Sequence, residues 1–259
     1  MARPPQWAAL ESRLTRAAVP DVFRGDMAGG SPEPTGRWLR AGIADGTPLA
    51  PGARLRMRGS IKLGRWLPFR AEQVLAPRWG TVWVARVAGV ISGSDQHLDG
   101  AGGMDWRLLR KIRILHAEGA DVARSSAGRV AGESVWVPTA VAANPMRALD
   151  EHTVEVDVDV AGELVAVRHR IDDRGRVTAS WFSRWGDPDR TGTWALHPFG
   201  LEATGWRSFG GVTIPSAGRV GWHYGTPRWA EGMFFRFEIE RLELLPSGGA
   251  AGVTSPSHE

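Results

Sequence analysis

From Arg54 onward, apolar and polar residues alternate along the chain with a period of two. That is the spacing of side chains on a β-strand that buries one face. The clearest run is Thr153–Val160, in which Val154, Val156, Val158 and Val160 alternate with Glu155, Asp157 and Asp159. Its carboxylate face predicts a side turned to water. Ala161-Gly162 and Asp172-Asp173-Arg174-Gly175 are turn sequences, so Thr153–Val160, Glu163–Ile171 and Arg176–Trp181 read as an antiparallel meander. Further strands are predicted at Arg54–Ser60, Phe69–Leu75, Thr81–Ile91, Asp105–Leu109, Ile112–Ala117, Leu201–Phe209, Val212–Ile214, Arg219–Tyr224 and Met233–Leu245. Thr81–Ile91 differs from the rest in being apolar on both faces.

Helical spacing appears in three places. Trp7, Leu10, Leu14 and Ala17 make one stripe, closed by Pro20. Ser31-Pro32 can start a second helix that carries Trp38, Leu39 and Ile43. Asp121 is a candidate N-cap for a third, running to about Trp136 and stopped by Pro138. These elements predict a mainly β (α+β) chain. Residues 51–245 would form a curved antiparallel sheet of about ten to eleven strands, closed as a barrel or half barrel. A helical segment at 1–50 would pack on it, a lid helix would be inserted near 121–136, and 246–259 reads as a disordered tail.

Composition sharpens this picture at two points. Thirteen Trp stand against eight Phe and one Tyr. In a barrel, indole walls suit an extended apolar or cation-bearing ligand. Trp83, Trp106, Trp136, Trp181, Trp206 and Trp222 are the candidate wall residues; core filling is the plainer reading of any one of them. All but two of the 32 basic residues are Arg, the exceptions being Lys62 and Lys111. With no Cys, one Tyr and two Lys, few groups titrate between about pH 8 and 11. The pI of 10.4 therefore reflects a net charge of only +4. Acidic residues interrupt the basic ones throughout, so no stripe for nucleic acid emerges.

Several classes are excluded. Zero Cys removes disulfide frameworks, thiol nucleophiles and thiolate metal sites. No uncharged apolar run approaches the roughly 18 residues of a spanning helix. The start, MARPPQWAALESRLTRAAV, lacks the apolar core of a signal peptide, so a cytoplasmic location is expected. GxGxxG, P-loop, GxSxG and HExxH motifs are missing, so neither a cofactor nor a metal is expected. Oligomeric state is not legible.

Candidate chemistry gathers at two segments. Asp95, His97 and Asp99 would share one side of an extended chain, allowing a carboxylate to orient the imidazole for proton transfer or three donors to hold a metal. Flanked by Gly93 and Gly100, the same residues also read as a turn. Arg129 and Glu133 stand one helical turn apart: a solvated ion pair by default, or an inward-facing acid or base at Glu133. His223 is a further possible proton carrier.

The blocks Gly59–Gln73, Trp83–Arg86, Asp95–Met104, Asp121–Thr139, Ser183–Asp187, Pro198–Gly200, Phe209–Pro215, Gly221-Trp222 and Phe234–Arg236 follow one another in order. Together, over roughly Pro34 to Leu245, they resemble a bacterial, largely actinobacterial, domain family of unknown function. That family is similar in shape to the half-barrel carriers of lipoproteins and lipids. The resemblance implies a curved antiparallel sheet around a hydrophobic cavity with helices as a lid, and it supplies no reaction. Charged residues in these blocks that lie near apolar elements are Glu72, Arg86, Asp95, Arg124, Arg129, Glu133 and Arg184. Buried charges need partners, so a carboxylate–guanidinium network behind the cavity is expected, with Arg86 and Arg129 also candidates for ligand contact.

The expected function is binding of a hydrophobic small molecule. Within it, a cofactor-free cyclase or isomerase acting on a polyketide- or terpenoid-like substrate is favoured, with Asp95, His97 or Glu133 moving the proton. The alternative is a carrier without chemistry; an interaction scaffold built on exposed Trp is the weakest reading.

Overall fold

The computed structural model describes residues 3–19, 21–29 and 33–246. Pro20, Ser31-Pro32 and residues 247–259 of the expected tail lie outside the described residues. The chain begins with helix α1 (Pro5–Arg16) and helix α2 (Thr35–Gly42). Six strands follow: β1 (Gly52–Leu63), β2 (Arg65–Ala76), β3 (Gly80–Val87), β4 (Ile91–Leu98), β5 (Ala101–Leu108) and β6 (Ile112–Glu118). Helix α3 (Ala120–Glu133) and the short α4 (Pro138–Val141) then lead to β7 (Met146–Asp150), β8 (Thr153–Val160), β9 (Glu163–Ile171), β10 (Val177–Gly186), β11 (Ala195–Phe209) and β12 (Val212–Trp222). A single helical turn, α5 (Trp229–Gly232), precedes β13 (Met233–Leu245).

Among the described residues, all 13 strands belong to one sheet, in the order β6-β5-β4-β3-β2-β1-β13-β12-β11-β10-β9-β8-β7. Every neighbouring pair is antiparallel. The last strand in sequence therefore fills the middle, where β13 joins β1 to β12. The two ends, β6 and β7, are not bonded to each other, so the sheet is open.

Its curvature follows from α3. This helix packs against β4, β5 and β6 near one end of the sheet and against β8, β9 and β10 near the other. In a flat sheet, β5 and β9 would stand roughly 43 Å apart at about 4.8 Å per strand, whereas a helix is only about 10 Å across. The sheet must wrap around α3, which lies inside its concave face. Small residues let the helix seat closely. A Cβ built on Gly132 would sit 2.4 Å from the Phe182 ring, and one on Gly102 would sit 2.3 Å from Ser126 Oγ.

The convex face carries α1. Trp7, Leu10 and Leu14 bury against Val74, Ala76, Val82, Val84 and Leu245 in a second, smaller core. This explains why Thr81–Val87 is apolar on both faces: Val82 and Val84 meet α1 outside, while Trp83 and Ala85 belong to the core inside. Helix α2 packs against β7 and β12, with Trp38 against His169 on β9 at 4.9 Å between ring centroids.

The strand number exceeds the expected ten to eleven for local reasons. The run Thr81–Ile91 is not one strand. Ala88 and Gly89 both take positive φ (49° and 75°), turning β3 into β4. Asp95 and His97 accordingly lie within β4, not in a turn, and the turn comes at Asp99-Gly100, both again at positive φ (49° and 83°). That pairing suits a two-residue hairpin. Strand β7 is short and without alternation, so no period announces it. The carboxylate face of β8 also needs correction: Glu155 is only 7% exposed. Arg147 of β7 and Arg168 of β9 close over it, each at 2.7 Å.

Candidate functional site

Between α3 and the concave sheet lies a cavity of about 590 Å³. Its aromatic wall comprises Trp83, Trp136, Trp194 and Trp222 together with Phe182, Phe199, Phe234 and Phe235. One rim is formed by Ile61–Leu63 at the β1–β2 hairpin, Asp187–Arg190 after β10, and His223, Arg228 and Glu231 between β12 and β13. An ion pair at 2.7 Å from Arg228 to Asp189 ties two of these connections together.

Beneath the aromatic wall runs a polar network that fixes α3 to the sheet. Arg129 is its hub: Nε–H donates to Glu133 Oε1 at 2.7 Å and Nη1–H donates to Asp95 Oδ2 at 2.8 Å. Trp106 Nε1–H donates to Asp95 Oδ1 at 2.7 Å. Gln73 Nε2–H donates to Glu133 Oε2 at 2.5 Å and to Thr81 Oγ1 at 2.8 Å. Every oxygen of the two carboxylates thus accepts a hydrogen bond. Burial pushes the Arg129 pKa down, but Glu133 and Asp95 outweigh it and hold the guanidinium above its usual value. The Arg129 guanidinium also lies 5.2 Å from the Trp83 ring centroid. The i,i+4 pair expected on a solvated helix face is therefore real but turned inward.

His97 is fully buried, and its Nδ1 lies 3.0 Å from Ser126 Oγ on α3. The Ser126 hydroxyl already donates to Ala123 O at 2.9 Å. Nε2 is buried and, among the described residues, without a partner. Burial holds the His97 pKa below its ordinary value despite the opposing pull of the Ala123 carbonyl and Asp99. No hydrogen bond joins Asp95 to His97, and Asp99 instead pairs with Arg13 at 2.6 Å. The expected carboxylate–imidazole arrangement is absent among the described residues: Asp95 serves Arg129 and Trp106, and His97 is not among the cavity-lining residues.

The other candidates divide. Trp83, Trp136 and Trp222 line the cavity, as do Arg129, Asp95 and Glu133. Trp106 stands behind Trp83, with ring centroids 5.8 Å apart. Trp181 is turned away and stacks on Tyr224. Trp206 donates to Val177 O and packs under Arg176, away from the cavity. Arg86 is exposed, on the opposite side of β3 from Trp83. The network expected to include Glu72 and Arg124 does not reach them: Glu72 pairs with Arg3 and Arg56, and Arg124 with Glu163. Strand parity explains the misses. Trp181 and Phe182 are neighbours on β10, and alternation alone cannot tell which faces inward when both sides of a strand are covered. Trp194 sits in the β10–β11 connection, where no period applies.

Among the described residues, no group of three or more His, Asp or Glu is placed to hold a metal ion. No helix among them is long and apolar enough to cross a membrane.

The fold is an open, strongly curved antiparallel sheet with a helix held in its concave face over an aromatic cavity. A family model described as a family of unknown function (DUF6544) matches residues 21–236, and the chain belongs to that family. No curated protein matches the chain. Solved structures that resemble it include the following two. A domain assigned to outer-membrane lipoprotein sorting, from Vibrio parahaemolyticus, shares 12% identity over 88% of this chain and 94% of its own, with a TM-score of 0.38. A LolA superfamily protein from Nitrosomonas europaea shares 7% identity over 74% of this chain and 84% of its own, with a TM-score of 0.41.

Proposed function

We propose that this protein binds an apolar small molecule in the cavity between α3 and the sheet and shields it from water. The observation that carries this reading is the cavity itself: about 590 Å³, with a surface more apolar than polar to which eight indole and phenyl rings contribute, and with charged groups such as Asp95, Arg129, Glu133 and Arg184 set among them. Ligand pockets typically measure about 300–1,000 Å³ and combine apolar walls with a small number of placed polar groups. Removing about 200 Å² of ligand apolar surface from water would be worth roughly 5 kcal/mol.

Binding without chemistry suits the site better than catalysis. Asp95 and Glu133 line the cavity, but each of their oxygens already accepts a hydrogen bond. Taking up a proton at either would weaken its ion pair with Arg129 and so the network that holds α3. The second reading, a cofactor-free cyclase or isomerase, draws on the placement of these two carboxylates beside indole faces that could stabilise positive charge.

One experiment separates the two. Wild type and Glu133→Gln are purified, and bound small molecules are extracted and identified by mass spectrometry. The binding reading expects the same apolar compound from both. Recovery of a cyclised or isomerised form from wild type, and its precursor from Glu133→Gln, would favour the enzyme. Recovery of no apolar compound from either would count against the cavity as a ligand site.

A further inference from the structure

Arg184 on β10 is 7% exposed and lines the cavity. Buried guanidinium groups ordinarily pair with a carboxylate. Among the described residues, Arg184 forms no ion pair. Its Nε–H donates to Ser125 O at 3.1 Å, and its two terminal nitrogens donate to no acceptor among the described residues. Those nitrogens are not sealed off in the protein interior either. The nearby carboxylates do not serve them: Asp95 and Glu133 draw on Arg184 at longer range, and both are engaged by Arg129 instead. Burial and the like charge of Arg129 push the Arg184 pKa down to about 9, which shows how little compensation the protein supplies. The group is nevertheless held in place. Its Cζ lies 4.5 Å from the Phe199 ring centroid and 5.0 Å from that of Trp222.

The edge left open is the pair of terminal nitrogens, a planar fork that matches a carboxylate in bidentate fashion. We propose that Arg184 docks the carboxylate of an amphiphilic ligand whose apolar body lies along Phe182, Phe199, Trp222 and Phe235. The ligand class is then an apolar carboxylic acid instead of a neutral hydrocarbon-like compound. The acid would supply the charge and the acceptors that the protein withholds. This inference rests on the reading of the cavity as a small-molecule site.

The test compares dodecanoic acid with its methyl ester, which share an apolar body and differ in the charged head. Each is titrated at pH 7 into wild type, Arg184→Gln and Arg184→Lys, with binding followed by intrinsic Trp fluorescence. Wild type should bind the acid roughly ten- to a hundredfold more tightly than the ester, the size of a charge-assisted hydrogen-bonded pair. Arg184→Gln should bring the acid down to the level of the ester and leave the ester unchanged, and Arg184→Lys should keep part of the preference. Equal affinities in wild type would overturn the role of Arg184 while leaving the cavity reading standing. Binding of neither compound by folded wild type would overturn both. Should Arg184→Gln fail to fold, the wild-type ratio and the Arg184→Lys variant decide the matter.

Discussion

Arg129 on α3 donates to Asp95 on β4 at 2.8 Å, joining residues 34 positions apart in sequence. The same guanidinium holds Glu133 on its own helix at 2.7 Å. One side chain therefore fixes the helix against the sheet and satisfies two largely buried carboxylates. Removing it leaves both without their cationic partner, a loss that typically costs about 3–5 kcal/mol. Arg129→Leu should accordingly lower the unfolding free energy by that amount, read as a fall in the urea midpoint at unchanged m-value. Replacing all three residues by apolar ones of similar volume should recover most of the loss. An Arg129→Leu variant as stable as wild type would show that the network does not secure α3.

The seat of α3 depends equally on Gly132. Its face meets Phe182 so closely that a Cβ there would lie 2.4 Å from the ring. Gly132→Ala should force the helix or the ring to move and destabilise the protein by about 1–3 kcal/mol through overpacking, even though alanine favours helices. Because Phe182 also lines the cavity, the same variant should weaken ligand binding. Thermal unfolding and ligand titration of this variant check both effects.

Stability should fall on mild acidification because of His169. Burial without a hydrogen-bond partner among the described residues lowers its pKa from 6.5 to about 3. Below pH 6.5 the unfolded chain takes up a proton that the folded state refuses, so folding stability is present at neutral pH and is lost as pH drops toward 3. The slope approaches about 1.4 kcal/mol per pH unit in that window. His97, whose pKa burial also lowers, adds loss in the same direction. Denaturant midpoints measured from pH 7 to about 4.5 should drop more steeply for wild type than for His169→Leu; parallel curves would remove His169 as the cause.

The preference for an acid over its ester should itself depend on pH. Arg184 is held down to about 9 by burial and by Arg129. A guanidinium held lower than usual still carries its charge at neutral pH and can dock a carboxylate; as pH falls below about 5 the ligand acid takes up a proton and the preference should shrink toward unity. Affinity for the ester should stay level across the same range.

Much of this fold is legible in the sequence, but not the part that makes the site. The stripe Trp7, Leu10 and Leu14 announces α1, and the valines of β8 announce a half-buried strand, because in both one period dominates. Strand β4 is hidden, since Ser94, Asp95, Gln96 and His97 have neither alternating hydrophobicity nor β-branched side chains. Its signal lies at its end, where Asp99-Gly100 is a strong hairpin turn. The burial of Glu155 is invisible because its partners, Arg147 and Arg168, come from neighbouring strands and obey no local spacing. Asp95, Arg129 and Glu133 were recognisable as polar residues in apolar surroundings, whereas their shared network required knowing that α3 lies inside the sheet. The distinction of Arg184 could not be read at all. It rests on which acceptors lie within reach of its terminal nitrogens, a property of the assembled site.

The central claim, that the cavity under α3 takes an apolar ligand, is most directly tested by titrating an uncharged naphthylamine dye into wild type and Val220→Trp. Val220 lines the cavity and is partly buried, so an indole there should occupy the ligand's space. The account predicts saturable, one-to-one binding to wild type with energy transfer from tryptophan, and loss of that binding in a variant that stays folded. Equal binding by the two proteins, or none by wild type, would contradict it.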